Sequence, residues 1–327
     1  MEAEKYLLGG ERLMKGKLFE ELIRNILLRI GFSQIKSDGL YIFDGAPGQM
    51  IQGIGQAHNA DVLLMPPAQT PFYFPSRLLI ECKNYEKSIG LNVIRSALGL
   101  REDINSFELV DLNVLQARRN HRRKAGIYNY QRYYYQVAVA AFHDFSTAAQ
   151  EFALAHRIPL ISFEKLPFWN TLIPQIDEFC RCYRFERDTT RAWYSDSYYL
   201  IQNRFNEIAN RMAIAMLDDG QMLFLYSLDE YIGFDENYYN LYWNNDHEYW
   251  ILQCGKRQYA FQLPKKIREE WLKTSIDDLA KRENALNCKQ EYLSHIVVYY
   301  NQNGLSKIKM LSINKEQLRA AYNRLKG

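Results

Sequence analysis

The sequence predicts an α/β fold, a mixed central sheet flanked by helices, followed by a second, α+β domain. Three observations lead there. Leu18, Phe19, Leu22, Ile23, Ile26, Leu27 and Ile30 recur at helical spacing, marking an amphipathic helix over 15–30 that Gly31 ends. The run from Gln136 to Phe142 is almost continuously apolar, as a central strand covered on both faces should be. A helix capped by Ser146 and running to about His156 separates that run from a further strand, Ile158 to Ser162, and strand, helix, strand order implies a parallel crossover.

The remaining elements follow from local signals. Short extended pieces at 40–43 and 49–53 flank Asp44-Gly45-Ala46-Pro47-Gly48, which reads as a hairpin connection. Ala60 to Met65 is a strand stopped by Pro66-Pro67, Arg77 to Lys83 is the next strand, and a helix follows over 91–104. The second half predicts a helix over 197–217, strands at 222–228 and 250–263, and helical stretches between 265 and 285. A hairpin of Ser294–Asn301 and Ser306–Ile313 turns at Asn303-Gly304, a pair that readily takes positive φ, and Asn314 with Gln317 forms a capping box for a closing helix. With 327 residues, the length predicts two domains, divided as 1–179 and 180–327.

Composition narrows the class. Apolar residues at 47% and charged residues at 24% are those of a folded globular chain, and no apolar run is long enough to span a bilayer. Glu2, Glu4 and Lys5 replace a signal-peptide core, and the five cysteines, Cys82, Cys180, Cys182, Cys254 and Cys288, follow neither a disulfide nor a zinc spacing. The expectation is a cytoplasmic protein with structural thiols and no membrane contact.

Charge is distributed unevenly behind a net value of +3. Between Asp111 and Asp144 no residue is acidic, while Arg118, Arg119, Arg122, Arg123, Lys124 and Arg132 fall in that window among several tyrosines, a pattern suited to phosphate and sugar contacts. From Met212 to Gly255 there is neither Lys nor Arg but eight acidic residues and ten aromatics, including Tyr238, Tyr239, Tyr242, Trp243, Tyr249 and Trp250. That stretch repels nucleic acid; its aromatics suit a second core, a protein partner, self-association or a ligand cage.

Chemistry concentrates in Leu78-Leu79-Ile80-Glu81-Cys82-Lys83. Alternation puts Leu79, Glu81 and Lys83 on one face, so a carboxylate and an ammonium project side by side from an interior strand. Asp61 opens the preceding strand, and antiparallel pairing would bring it beside Glu81. Two such carboxylates can hold Mg²⁺ while Lys83 contacts the attacking water or a phosphate. Taken alone, Glu-x-Lys reads as a buried ion pair beside a turn aspartate.

The wider context, Gly16-Lys17-Leu18-Phe19-Glu20, Gly55-Gln56-Ala57-His58-Asn59-Ala60-Asp61, Ile80-Glu81-Cys82-Lys83-Asn84-Tyr85 and the stretch from Val137 to Ser162, resembles the PD-(D/E)xK nuclease superfamily, nearest its Mrr-like and restriction-endonuclease branch. The resemblance covers residues 15–163 and implies a restriction-endonuclease-like sheet. It also implies Asp61 and Glu81 as metal ligands, the Cys82 carbonyl as a third oxygen, Lys83 as the catalytic lysine, and a glutamate on the first helix. Helical phase selects Glu20, beside the apolar stripe, over Glu21. Ala60 stands where the family places proline. Gln56 and His58 lie close enough in sequence to be accessory residues; His121, His143 and His156 receive no role.

The resemblance thus implies a Mg²⁺-dependent endonuclease of double-stranded DNA, with Mn²⁺ able to substitute, working in restriction or antiviral defence. The C-terminal domain would select targets or bind a regulatory partner. A non-catalytic DNA-binding or assembly subunit and a junction-resolving nuclease stay open as alternatives. If the basic window contacts DNA, neutralising Arg118, Arg119, Arg122 and Arg123 together should weaken binding. The slope of log affinity against log salt should flatten by roughly 0.9 for each duplex phosphate that is no longer neutralised; unchanged affinity and slope in a salt titration would remove the window from the interface.

Overall fold

The computed structural model describes residues 2–45, 48–69, 74–107, 132–185, 191–217, 221–244, 246–265 and 293–326. It is a mixed α/β structure. A long first helix, α1 (Glu2–Ile30), buries the stripe named above: Leu18, Phe19, Leu22, Ile23, Ile26, Leu27 and Ile30 are all essentially inaccessible. Gly31 ends it at φ +121°, a value only glycine takes without strain, and the N–H of Phe32 closes the last turn on the Leu27 carbonyl at 3.0 Å.

The strands β1 (Ser33–Gln34), β2 (Ile42–Asp44), β3 (Gln49–Gln52), β4 (Ala57–Asn59), β5 (Val62–Met65) and β6 (Ser76–Lys83) precede helix α2 (Leu91–Ser106). They are followed by β7 (Tyr134–Ala141), α3 (Thr147–Ala155) and β8 (Leu160–Ser162). Five of these strands form one sheet in the order β1-β5-β6-β7-β8. β1, β5 and β6 pair antiparallel, whereas β6, β7 and β8 run parallel, so the sheet is mixed and the expected crossover is present. The crossover helix starts as its sequence requires, with Ser146 Oγ accepting from the Ala149 N–H at 3.3 Å. β2, β3 and β4 form a small antiparallel sheet of their own.

Alternation along β6 sorts the two faces. Leu78 and Ile80 join the core formed with α1, while Leu79 joins the core formed with α2 and α3. α4 (Trp169–Phe185) and α5 (Arg191–Asn210) lie on the α1 side; Leu172, Ile176, Phe179 and Cys180 give α4 a buried stripe although Pro174 interrupts its donors.

The second half departs most from the sequence-based expectation. Strands β9 (Met212–Met216), β10 (Met222–Ser227), β11 (Tyr238–Asn244), β12 (Tyr249–Cys254), β13 (Arg257–Phe261), β14 (His295–Gln302) and β15 (Leu305–Ile313) close into a barrel in the order β10-β13-β12-β11-β15-β14-β9. The helix predicted over 197–217 stops at Asn210. Residues 212–216 are a strand because they alternate: Ala213 and Ala215 face the barrel interior, Met212 and Ile214 the α1 layer. The single strand predicted over 250–263 is two, folded at Gly255 with φ +60°, and β11 was not expected.

The Asn303-Gly304 hairpin forms with φ of +55° and +83° at its two turn residues. Asn314 Oδ1 accepts from the Glu316 N–H at 3.1 Å at the start of the last helix, α6 (Lys315–Lys326); the side chain of Gln317 and the helical stretches expected between 266 and 285 lie outside the described residues. Of the acidic stretch's aromatics, Tyr239, Tyr249 and Trp250 are buried, while Tyr238 and Tyr242 are exposed. The expected division at 179/180 falls inside α4, and one apolar core joins α1 and the main sheet to Phe224, Tyr226 and Ala260 of the barrel wall.

Phe19 sits at the centre of that shared core, its ring 4.7 Å from Phe142 and 5.9 Å from Trp169. Phe19→Ala should therefore cost about 3–5 kcal/mol of unfolding free energy in urea denaturation. A loss below about 1 kcal/mol, the range of surface changes, would contradict this packing.

Candidate active site

The site is built where β5 begins and β6 ends. Val62 pairs with Ile80 and Leu63 with Leu79, so the same antiparallel register sets Asp61 across from Glu81. Asp61 is fixed on three sides. Its Oδ2 accepts from the Cys82 N–H at 2.8 Å, its Oδ1 accepts from Asn59 Nδ2 at 3.0 Å, and its carbonyl accepts from Arg24 Nη2 at 2.6 Å. Arg24 lies one turn beyond Glu20 on α1, so that bond ties the helix to the head of β5.

Lys83 Nζ donates to Glu81 Oε2 at 2.7 Å, with side-chain exposures of 25% and 18%. The pair thus stands at the partly open end of an interior strand, a less buried setting than an interior position alone would suggest. Cys82, between them, packs its side chain toward the α1 core.

Asp61, Glu81 and Lys83 line a cleft of about 810 Å³ together with Gln56, His58 and Asp103. Asp61 also borders a second cleft of about 510 Å³, where Lys17, Glu20, Glu21 and Arg24 of α1 face Gln34 and Gln49. Glu20 feels the charges of Asp61 and Lys83, while Glu21, which borders the same cleft, accepts from the Tyr198 hydroxyl at 2.7 Å.

Electrostatics shows the strain of gathering these acids. Burial, reinforced by the negative charge of Asp61, pushes the Glu20 carboxyl up to about 7 although Arg24, Lys17 and Lys83 pull the other way. Burial and then Glu81 raise Asp61, partly offset by its bond from the Cys82 N–H. Burial disfavours the Lys83 charge, but Glu81, through its charge and hydrogen bond, and Asp61 outweigh it, so the ammonium is held more firmly than usual. Burial also raises the Cys82 thiol well above its ordinary value.

Among the described residues no three His, Cys, Asp or Glu side chains are gathered as a ready ligand set. The donor chemistry nonetheless suits a hard divalent cation: the charge of Glu81 raises the proton affinity of Asp61, and that of Asp61 raises Glu20, a crowding of negative charge that such an ion relieves. Asp61 and Glu81 would supply the side-chain oxygens, and Glu20 borders the adjoining cleft on the other side of Asp61.

Other expected site residues fall differently. Arg118, Arg119, Arg122, Arg123 and Lys124 lie outside the described residues. Arg132 precedes β7, and Ser76 pairs with Tyr134 whereas Lys83 pairs with Ala141, so Arg132 is at the end of the sheet opposite the acids; its guanidinium lies 5.2 Å from the Phe74 ring centroid. The structure does not bring it to the cleft. Gln56 lines the cleft, and its carbonyl accepts from the Gly53 N–H at 2.9 Å. Sequence reasoning missed Arg24 and Asp103; an α1 phase count could have found Arg24, four residues past Glu20, while Asp103 carried no local signal.

A carboxyl whose pKa is raised by folding favours the folded state while protonated. For Glu20 that contribution is complete below the ordinary value of 4.5 and is lost as pH rises through about 7. Relative to Glu20→Gln, the wild type should lose stability between about pH 5 and about pH 8, read as urea midpoints of both proteins. Parallel curves would show that Glu20 titrates normally.

Comparisons of the chain with protein-family models, with curated proteins and with solved structures each find no match.

Proposed function

We propose that this chain is a Mg²⁺-dependent endonuclease of double-stranded DNA, its central sheet of the restriction-endonuclease-like kind, acting in restriction or antiviral defence. One observation carries the reading: a backbone-anchored aspartate stands across from a Glu–Lys pair at the rim of one cleft large enough for a backbone segment. Hydrolysing a phosphodiester needs anionic oxygens to hold a cation and a fixed positive charge near the phosphate, and both are within the same few residues.

Asp61 and Glu81 would hold the ion, with the Cys82 carbonyl as a further oxygen and Mn²⁺ able to substitute, and Glu20 would act from the adjoining cleft beside Asp61. When bound, the cation neutralises phosphate charge and makes water a better nucleophile. Lys83, kept as an ammonium, places a positive charge beside Glu81 and is positioned to meet the non-bridging phosphate oxygens. Arg24 and the Cys82 N–H do no chemistry; they fix the height and rotation of Asp61. Target selection or partner binding falls to the barrel half.

The test is plasmid DNA incubated with the purified protein in Mg²⁺ or chelator, beside Asp61→Ala and Lys83→Ala. The expected result is metal-dependent nicking by the wild type and a loss of at least about 100-fold in each variant. Equal cutting by wild type and variants, or no metal-dependent cutting, would contradict the proposal.

A further inference from the structure

The larger cleft contains a second polar pair that the chemistry above leaves unused. His58 on β4 meets Asp103 on α2, with Nε2 2.7 Å from Oδ2. Asp103 is itself held: Oδ1 accepts from the Gly55 N–H at 3.0 Å, and the turn through Gly53 wraps the carboxylate so closely that a methyl group on Gly53 would overlap Oδ2. The His58 bond, followed by the Gly55 N–H, keeps the Asp103 carboxyl below its usual range. It is a permanent acceptor.

A carboxylate on one imidazole nitrogen selects the tautomer that carries its proton there. With the proton on Nε2, Nδ1 keeps its lone pair, and among the described residues Nδ1 has no hydrogen-bond partner. The other ionisable groups lining this cleft, Asp61, Glu81, Lys83, Tyr85 and Asp103, are differently placed. Asp61 accepts from Cys82 and Asn59, Lys83 is an ammonium paired with Glu81, and Asp103 is committed to His58. His58 therefore presents an imidazole nitrogen with a free lone pair to the cleft, its other nitrogen fixed by Asp103.

We infer that His58 is the general base of the hydrolysis, taking a proton from the attacking water on Nδ1, and that Asp103 is its positioning residue. The inference rests on the nuclease reading above. As the water oxygen bonds to phosphorus, its proton passes to Nδ1 and a bridging P–O bond breaks. The departing oxygen takes a proton from solvent, and the imidazolium returns its own to solvent, so the net change is addition of one water across the P–O bond.

The experiment measures steady-state DNA cleavage in Mg²⁺ by the full chain, His58→Ala, Asp103→Ala and Asp61→Ala, with and without added imidazole, and records ring nitrogen-15 spectra of His58. His58→Ala should lower kcat about 100-fold with KM near wild type, and imidazole should restore a large part of the loss. Imidazole should do nothing for Asp61→Ala. Asp103→Ala should lower kcat about 10-fold, and its His58 spectrum should shift from the Nε2-protonated tautomer toward a mixture. Wild-type rates in His58→Ala, or a loss that imidazole leaves untouched, would overturn the role of His58. An unchanged tautomer in Asp103→Ala would overturn that of Asp103. Absence of metal-dependent cleavage by the wild type would instead fall on the nuclease reading, and the proposed base would fall with it.

Discussion

Asp61 and Glu81 meet because Val62 pairs with Ile80. A shift of one residue in that register would turn Asp61 away from Glu81 and move Leu63 and Leu79 out of the core they share with α2 and α3, so the same apolar packing that stabilises the sheet enforces the encounter of the acids. The Cys82 N–H then binds Asp61 Oδ2, and Arg24 locks the aspartate's backbone to the helix. Stability and site geometry therefore have a common cause, the alternation of apolar residues along two neighbouring strands.

The sheet end resolves a conflict between core and chemistry. β6 lies between β5 and β7, and its middle residues are fully covered, which would make an ion pair there expensive. By ending β6 at Lys83 the chain keeps the rigidity of an interior strand and lets Glu81 and Lys83 retain partial solvent contact. The residual tension appears on Asp61 and Glu20, whose raised proton affinities record negative charges held close in a partly dry place. Natural sequences accept such local cost where charge is needed.

Much of this half was legible in the sequence because each signal was local or strictly periodic. The α1 stripe and the alternation that set Glu81 and Lys83 on one face both survive in the structure. The Asn303-Gly304 turn needed only two residues to be recognised. What stayed hidden depends on distant partners. Met212 to Met216 reads as an extension of the preceding helix until β10 and β14 pair with both its edges, and the barrel is closed by a parallel contact of β11 with β15 that no nearby residue announces. Pro174 disguised α4. Asp103 is an ordinary helix residue until the Gly53–Gly55 turn, folded from a different sheet, closes around it. The basic window, by contrast, is plain in the sequence, yet its described member, Arg132, lies at the far end of the sheet, since charge density along a chain does not say which edge of a fold it decorates.

The barrel is not an appendage to this arrangement: one wall of it packs through Phe224, Tyr226 and Ala260 into the core that seats α1, and α1 carries Glu20 and Arg24. In the proposed chemistry the acids share a cation, and Mn²⁺ binding followed by electron paramagnetic resonance on the DNA-free protein measures this without requiring turnover. The wild type should bind Mn²⁺ at a site that Mg²⁺ competes for and that disappears in Asp61→Asn. Binding that survives this substitution intact, or a wild type that takes up no ion, would contradict the central claim.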